Sequence, residues 1–508
     1  MSLLRAMSTV AGLTGISRIA GFVRDIMTAS ILGVGLVADA FVVALKLPNF
    51  FRRVTAEGAF SVSFVPVYTQ TLEQDGKERA ARFASDAFWI MTGILFVFSA
   101  LAMLLMPFVI MLIAPGFQSD PERFGLAVEL TRITFPYLLL MSLSALLGGI
   151  LNANNRFAPF AFAPTLFNLS LIGALLLEHL FKTPGHALSW GILCAGFAQF
   201  FMLLYCAHRI GFRITFKIPV FTEKIRKVFR LMGPGVLGAG VMHINLFADI
   251  ILASFLASGS ISYLYYADRL NQLPLGVVGI AVGTALLPLL TKALSRNDRN
   301  EARHLFNRAM EYCLLLALPA SLGLILIPQE LIGALFERGA FGAEDTHMTA
   351  MVLMGYAIGL PPYILIKIFS TLHWANQDTT TPVKISIIAT VFNIALSIAL
   401  IFQIGVIGIA LATGISGWLQ IILHWRAVKG SDIAVFDQAF KRRILKIFIG
   451  TLLMGVAVFA LKLILPSYIG NDLLLMLALV GAGITVYTGF SFFTGLLRLS
   501  VLKKIHKK

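Results

Sequence analysis

The sequence predicts an all-α polytopic membrane protein: fourteen transmembrane helices, in two six-helix lobes related by an internal repeat, followed by two C-terminal helices. Three observations predict this. Apolar residues make up 58% of the chain and charged ones 13%, about half the charged share of an ordinary soluble domain, and the mean hydropathy is +0.85. Apolar stretches of about 20 residues, the length that crosses a bilayer, recur from end to end. Short motifs also recur at a near-constant interval.

Taken in order, the stretches place spans at 7–32, 36–68, 84–113, 125–151, 158–180, 187–208, 229–256, 260–290, 308–328, 347–374, 383–402, 405–425, 443–465 and 473–497. Charges inside the first stretch and the lack of a small-residue cleavage site argue against a removable signal peptide. The net charge of +16 is distributed as a topology signal and not as a nucleic-acid surface. Lys77, Arg79 and Arg82, then Arg209 to Arg230, Lys292 to Arg303, Arg426 to Arg443, and Lys503, Lys504, Lys507 and Lys508 fall on one side. The other side holds little beyond Arg123, Lys182 and Arg338. Base-rich loops stay cytoplasmic, so both termini are expected there. Cys194, Cys206 and Cys313 lie in apolar spans at unrelated spacings and suggest neither a disulfide framework nor a zinc site.

The repeat sets the domain organisation. Asp25-Ile-Met-Thr-Ala-Ser-Ile-Leu32 is echoed by Asp249-Ile-Ile-Leu-Ala-Ser-Phe-Leu256, and Phe167-Asn168 by Phe392-Asn393. Ala153-Asn154-Asn155 before Pro159 is echoed by Ala375-Asn376-Gln377 before Pro382, and Ala38-Asp39 by Ala267-Asp268. Six spans separate the copies, so the halves share one orientation, as in transporters that rock two lobes about a central site. The lobes are placed at 1–210 and 229–428, joined by a cytoplasmic amphipathic linker at 211–228. A basic linker, spans 13 and 14 and a basic tail fill 429–508. Lys462 in span 13 is expected to snorkel to an interface.

The charges inside the spans carry the functional signal. Arg18, Arg24 and Asp25 lie in span 1; Asp39, Lys46, Arg52, Arg53 and Glu57 in span 2; Asp268 and Arg269 in span 8, with Gln272 one turn on. A charge at mid-membrane costs from about 2.5 to more than 10 kcal/mol, so such residues face a wet cavity or one another. Asp39, Lys46 and Arg53 recur every seventh residue, close to one helical stripe, and Pro48 among them should kink the span. A purely structural reading pairs the charges, for instance Arg24 with Asp39 and Arg269 with Asp25. The inventory does not balance: six cations (Arg18, Arg24, Lys46, Arg52, Arg53, Arg269) stand against four acids (Asp25, Asp39, Glu57, Asp268). The surplus suits an anion, and guanidinium forks match phosphate oxygens in pairs.

These motifs carry a resemblance. Ser17-Arg18-Ile-Ala-Gly-Phe-Val-Arg24-Asp25, Ala38-Asp39-Ala-Phe, Lys46-Leu-Pro-Asn49, Arg52-Arg53, Ala56-Glu57-Gly-Ala-Phe and Tyr266-Ala-Asp268-Arg269-Leu resemble the MurJ (MviN) family of bacterial lipid II flippases, over essentially the whole chain. The resemblance implies membership of the multidrug/oligosaccharidyl-lipid/polysaccharide exporter superfamily, with the last two helices forming a groove for a polyprenyl tail. It implies a transporter and no enzyme, carrying lipid II across the cytoplasmic membrane for peptidoglycan synthesis, with membrane lipids and cell-wall synthesis proteins as candidate partners. The family's cavity arginines fall on Arg18, Arg24, Arg52 and Arg269, with Asp39 as acidic companion; Ser17, Lys46 and Glu57 match the motif with less defined roles. The glutamate that some relatives carry after the span 8 pair is here Gln272.

Two rivals are weaker. A multidrug or other lipid-oligosaccharide exporter of the same superfamily shares the two-lobe plan, but a drug-cation site needs surplus acid. A polymerase acting on the same lipid needs outer-loop carboxylates, and the only cluster there (Glu330, Glu337, Glu344, Asp345) reads as a solvated loop. No phosphate-binding glycine loop ending in Lys-Ser/Thr is present, which argues against ATP use. A cofactor is not expected, with one candidate: Asp249, Asn393 and Thr413 offer a carboxylate, an amide oxygen and a hydroxyl in mid-span, which suit sodium. A further acid seen in some relatives is Ser397 here. The rival reading makes Asp249 a core acid bonded near His243 or Asn245.

Overall fold

The computed structural model describes residues 3–52, 60–215 and 218–497. It is all-helical, with no strand among the described residues, and ten of its helical stretches are long and apolar enough to cross a membrane. Two compact units emerge: residues 1–262 with 338–341, and residues 263–337 with 342–508. The first holds α1 (Leu3–Leu32), α2 (Leu36–Phe51), α3 (Ser61–Leu104), α4 (Met106–Ile113), α5 (Pro121–Thr134), α6 (Tyr137–Ala153), α7 (Ala158–Leu176), α8 (Pro184–Arg209) and α9 (Glu223–Ser254). The second holds nearly all of α10 (Ser260–Ser295), then α11 (Arg299–Leu326), α12 (Pro328–Phe336), α13 (Ala343–Ile358), α14 (Leu360–Ala375), α15 (Thr380–Ile404), α16 (Val406–Val428), α17 (Gln438–Ile464) and α18 (Asp472–Phe493).

Proline and glycine explain where helices differ from the expected spans. Spans 4 and 10 each run as one membrane-length stretch, Pro121–Ala153 and Ala343–Ala375, with a local irregularity in the helix where Pro136 and Pro361-Pro362 fall. Proline lacks the N–H that would continue the ladder and crowds the preceding turn. Lys77, Arg79 and Arg82, expected in a loop, are helical residues of α3, which bends sharply at Gly76 (φ +83°). A side chain there would be strained, so glycine makes the bend.

The internal repeat is visible in local geometry. After α6 the Arg156 N–H donates to the Leu151 carbonyl, and after α14 the Asp378 N–H donates to the His373 carbonyl. Asn155 and Gln377 take the same left-handed conformation between them, and Asn154 and Asn376 each donate a side-chain hydrogen bond to a carbonyl four residues back.

The linker is partly extended, with residues 223–228 already in the first turns of α9. Residues 212–215 and 218–222 are not helical; Pro219 disfavours helix at itself and at Ile218 before it. The strap is pinned to α3: Ser85 accepts from the Thr215 N–H (2.9 Å) and Trp89 donates to the Thr215 carbonyl (2.9 Å). Lys224, in the first turn of α9, pairs with Asp75 and holds its carboxyl below the usual range.

In the second unit α17 and α18 pack on each other and on α11, with Tyr487 donating to the Leu315 carbonyl (2.8 Å). Buried Glu311 of α11 accepts from Arg308 and Arg443, tying α17 in place. Lys462 does not simply snorkel: its ammonium meets Glu330 (3.0 Å) and the Leu326 carbonyl (2.8 Å). The acidic cluster is correspondingly not a free solvated loop, because Glu330 is paired and Asp345 accepts from the Gly342 N–H (2.9 Å) at the start of α13.

A carboxylate at the centre of the first unit fixes α2. Asp39 is fully buried. One of its oxygens accepts from the Ser262 N–H (2.8 Å) and hydroxyl (2.6 Å); the other accepts from the Gly259 N–H (2.8 Å) and the Arg123 guanidinium (2.5 Å). Arg123 also lies over the Phe117 ring, 4.0 Å from its centroid, and donates to the Leu256 carbonyl (3.3 Å). Gly259 (φ +99°) makes the turn that presents its N–H. Asp39→Ala would strand a buried guanidinium and three other donors, and removing one partner of a buried pair costs about 3–5 kcal/mol. Thermal unfolding in detergent should show a large loss for Asp39→Ala and for Arg123→Ala, and less than their sum for the double variant. Wild-type stability of either single variant would refute this role.

Candidate functional site

The structure sorts the charges of the first spans into neutralised and spare. On α1, Arg24 is largely buried and committed. It donates through Nε (3.1 Å) and Nη2 (2.6 Å) to Asp25 and through Nη1 to the Asn168 amide oxygen (2.8 Å), with the Phe167 ring 5.8 Å away. Asn168 in turn donates to the Ser17 carbonyl (2.8 Å) and lies 3.4 Å from its hydroxyl. Ser17, Arg24 and Asn168 thus form one polar seam that fastens α1 to α7. The expected Arg24–Asp39 pair does not form, because Arg24 is held by Asp25 and Asp39 by Arg123.

Arg18 sits half-way along α1 and is different. It is exposed and makes no hydrogen bond or ion pair among the described residues. The same stretch leaves Ile16 (53%) and Ile19 (69%) exposed, and a Cβ on Gly12 or Gly15 would meet nothing within 4 Å. This face of α1 is therefore uncovered within its own unit, and it carries an uncompensated guanidinium. Lys46 and Arg52 are half-buried on and just beyond α2. Arg53 and Glu57 lie outside the described residues. In the second unit Arg269 stacks over the Tyr265 ring at 4.5 Å, and Gln272 donates to Asp268.

Two contributors were not singled out as site residues. Arg123 stood out only as a rare base on the base-poor side. Asn168 was marked by the repeat, which suggested a position without a role.

The candidate cation residues are divided between the units. Asp249 is half-buried in α9 of the first. Asn393 is fully buried in α15 of the second and donates to the hydroxyls of Thr413 (3.1 Å) and Ser416 (3.4 Å). Its amide oxygen and the buried Ser397 hydroxyl, one turn on, have no hydrogen-bond partner among the described residues. An all-oxygen cluster with an orphaned carbonyl-type oxygen is chemically suited to a hard cation and not to a soft one.

Chemically, the first unit presents a guanidinium on an uncovered helix face, flanked by exposed Ile16 and Ile19. That arrangement can hold an anionic head group beside a lipid phase. Comparison with known proteins identifies the family to which the chain belongs. A sequence model of the family described as "Lipid II flippase MurJ" matches residues 28–479. The "Probable lipid II flippase MurJ" of Rhizobium meliloti (strain 1021) is 37% identical, covering 100% of this chain and 97% of the relative. That of Rickettsia prowazekii (strain Madrid E) is 35% identical over 97% of each chain. A solved structure, "Lipid II flippase MurJ, inward closed conformation", superposes with TM-score 0.81 at 30% identity, covering 96% of this chain and 99% of that one. An inward-facing multidrug resistance MATE transporter, with TM-score 0.67 at 12% identity, shares the fold. A face of α1 that holds a bare guanidinium among apolar residues is thus found in a chain that belongs to the MurJ lipid II flippase family.

Proposed function

We propose that this protein flips lipid II, the polyprenyl-pyrophosphate-linked disaccharide-pentapeptide precursor of peptidoglycan, from the inner to the outer leaflet of the cytoplasmic membrane. It is a multi-pass membrane transporter and not an enzyme. No bond need form or break: the head group crosses a hydrated path while the tail stays in lipid, as two lobes give access to each side in turn. The single observation that carries the reading, beside family membership, is Arg18, a cation near the middle of an apolar helix with no acid paired to it among the described residues. Lys46 and Arg52 of the first unit are assigned to anionic head-group binding with Arg18, and Arg269 is assigned the same chemistry within the second unit. Arg24, Ser17 and Asp39 serve it indirectly, by holding α1 and α2 in place; Glu57 keeps its motif position as a member of the set.

The fourteen-span arrangement puts base-rich loops and both termini on the cytoplasmic side, and the lobes follow the repeat at 1–210 and 229–428. Membrane potential supplies drive if net charge moves, at about 2.3 kcal/mol per elementary charge per 100 mV. Cell-wall synthesis proteins that consume the flipped lipid are its expected neighbours.

Reconstituted flipping of a labelled lipid II separates the two classes of arginine. Arg18→Ala should keep wild-type thermal stability and lose about ten- to a hundredfold in transport, since a charge-assisted contact contributes about 1.5–3 kcal/mol. Arg18→Lys should rescue only in part, because an ammonium keeps the charge and loses the fork. Arg24→Ala should lose stability as well, by freeing α1 from α7. Full transport by Arg18→Ala would sink the assignment.

Sodium would be held in the second unit by the oxygens of Asn393 and Thr413, supplying a charge that biases one state of the cycle. If so, wild-type protein melts higher in sodium than in potassium, and Asn393→Ala erases the difference. Equal melting of the wild type in both salts would dispose of the site.

A further inference from the structure

The matching turns that end α6 and α14 share their backbone hydrogen bonds but bury different side chains. The first buries Leu151, 1% exposed; the second buries His373, 6% exposed. An imidazole is therefore not what the turn needs. His373 Nδ1 lies 3.1 Å from an oxygen of Asp378, whose other oxygen accepts from the Thr380 (3.1 Å) and Thr381 (3.0 Å) N–H groups at the start of α15. On its other side the His373 ring centroid is 5.4 Å from that of His424, fully buried in α16, which itself stacks on Phe369 at 6.0 Å.

Among the described residues, His373 Nε2 and both nitrogens of His424 lack a hydrogen-bond partner. A neutral imidazole carries one donor and one acceptor, and burying them unmet is costly, so an aromatic hydrocarbon would pack better here. The spacing suggests the compensation. A nitrogen-to-nitrogen hydrogen bond of about 2.9–3.0 Å needs ring centroids roughly 5 Å apart, close to the 5.4 Å that separates these two rings.

The array also has a route to water. His373 and Asp378 line a cavity of about 460 Å³ with Asn297, Arg299, Ser431 and Asp432. Side-chain exposure falls from 33% at Asp378 to 7% at His373 and to 0% at His424. Arg299 and Asp432 pair with each other at 2.5 Å, leaving Asp378 as the acid that faces the imidazoles. Hydrogen bonds from Thr381 and Thr380 and from His373 keep its carboxyl below the usual range, so it stays charged. On the surrounding elements, Arg296, His304, Lys384 and Arg426 are exposed, Arg303 turns to the Val435 carbonyl and Lys367 to the Leu275 carbonyl.

We propose that Asp378, His373 and His424 form a proton-binding array in the second unit, which takes one proton from this cavity and holds it between the two imidazoles. One proton bridges the rings and is balanced by Asp378; a second would set two imidazolium charges against each other. Proton uptake fastens the α14–α15 turn to α16, and release loosens it. The inference is independent of the transported substrate.

The test uses the full chain in lipid nanodiscs. Histidine-resolved deuterium exchange at the ring C2–H, followed from about pH 5 to 8, where histidines titrate, reads each ring separately. His373 and His424 should titrate with one shared midpoint. His373→Gln should shift the His424 midpoint, and Asp378→Asn should shift both. The thermal midpoint of the wild type should step across the same range, and His424→Phe, which retains a ring against Phe369, should lose the step. If His424→Phe does not fold, His424→Gln serves in its place. Independent titration of the two rings, or a step that survives in both His373→Gln and the His424 variant, would overturn the proposal.

Discussion

The buried carboxylate of Asp39 is the constraint on which the first unit depends. An ion of this size is expensive to remove from water, and the cost is offset only if nearly every lone pair is met. Asp39 meets that condition with four donors from two segments: Arg123 at the start of α5, and Gly259 and Ser262 in the turn that opens α10. The surrounding α2 residues, Ala38 to Leu45, are all buried, so the helix has no freedom to slide without breaking the cluster. Lys46 and Arg52 take their places from this fixed helix.

A second consequence is a division of labour among charges. Arg24 is neutralised by Asp25 and positioned by Asn168, which makes it a fastener between α1 and α7. Arg18, nearly two turns away on the same helix, has no such partner among the described residues, and its neighbours Ile16 and Ile19 are exposed. A helix that is rigidly held along one face and carries an unbalanced guanidinium on another can wait for an anion without collapsing onto its own acids. That is the physical basis for assigning the pyrophosphate-linked head group to this protein.

Much of this was legible in the sequence, because hydropathy and charge imbalance depend on composition along single helices. The span positions, the repeat and the cationic surplus all follow from such local quantities. Partner choice does not: Asp39 and Arg24 were natural partners by sign, yet each found an acid or base nearer in space, one at Arg123 and the other in the next residue, Asp25. The same blindness applied to Lys462, whose partner Glu330 lies far along the chain, and to residues 212–215 and 218–222, where anchoring by Ser85 and Trp89 and the effect of Pro219 outweigh the amphipathic pattern. Asn168 was visible as a repeated residue, but only the fold shows that its amide joins Ser17 to Arg24.

The central claim is that the protein delivers a lipid-linked anion to the outer leaflet. The most direct measurement is to deplete it from growing cells and determine on which leaflet lipid II accumulates, using an impermeant reagent that modifies only the outer pool. Accumulation of protected, inner-leaflet lipid II is the result this account predicts. Accumulation of accessible, outer-leaflet lipid II would mean that the protein consumes the flipped lipid instead of moving it, and would contradict the account.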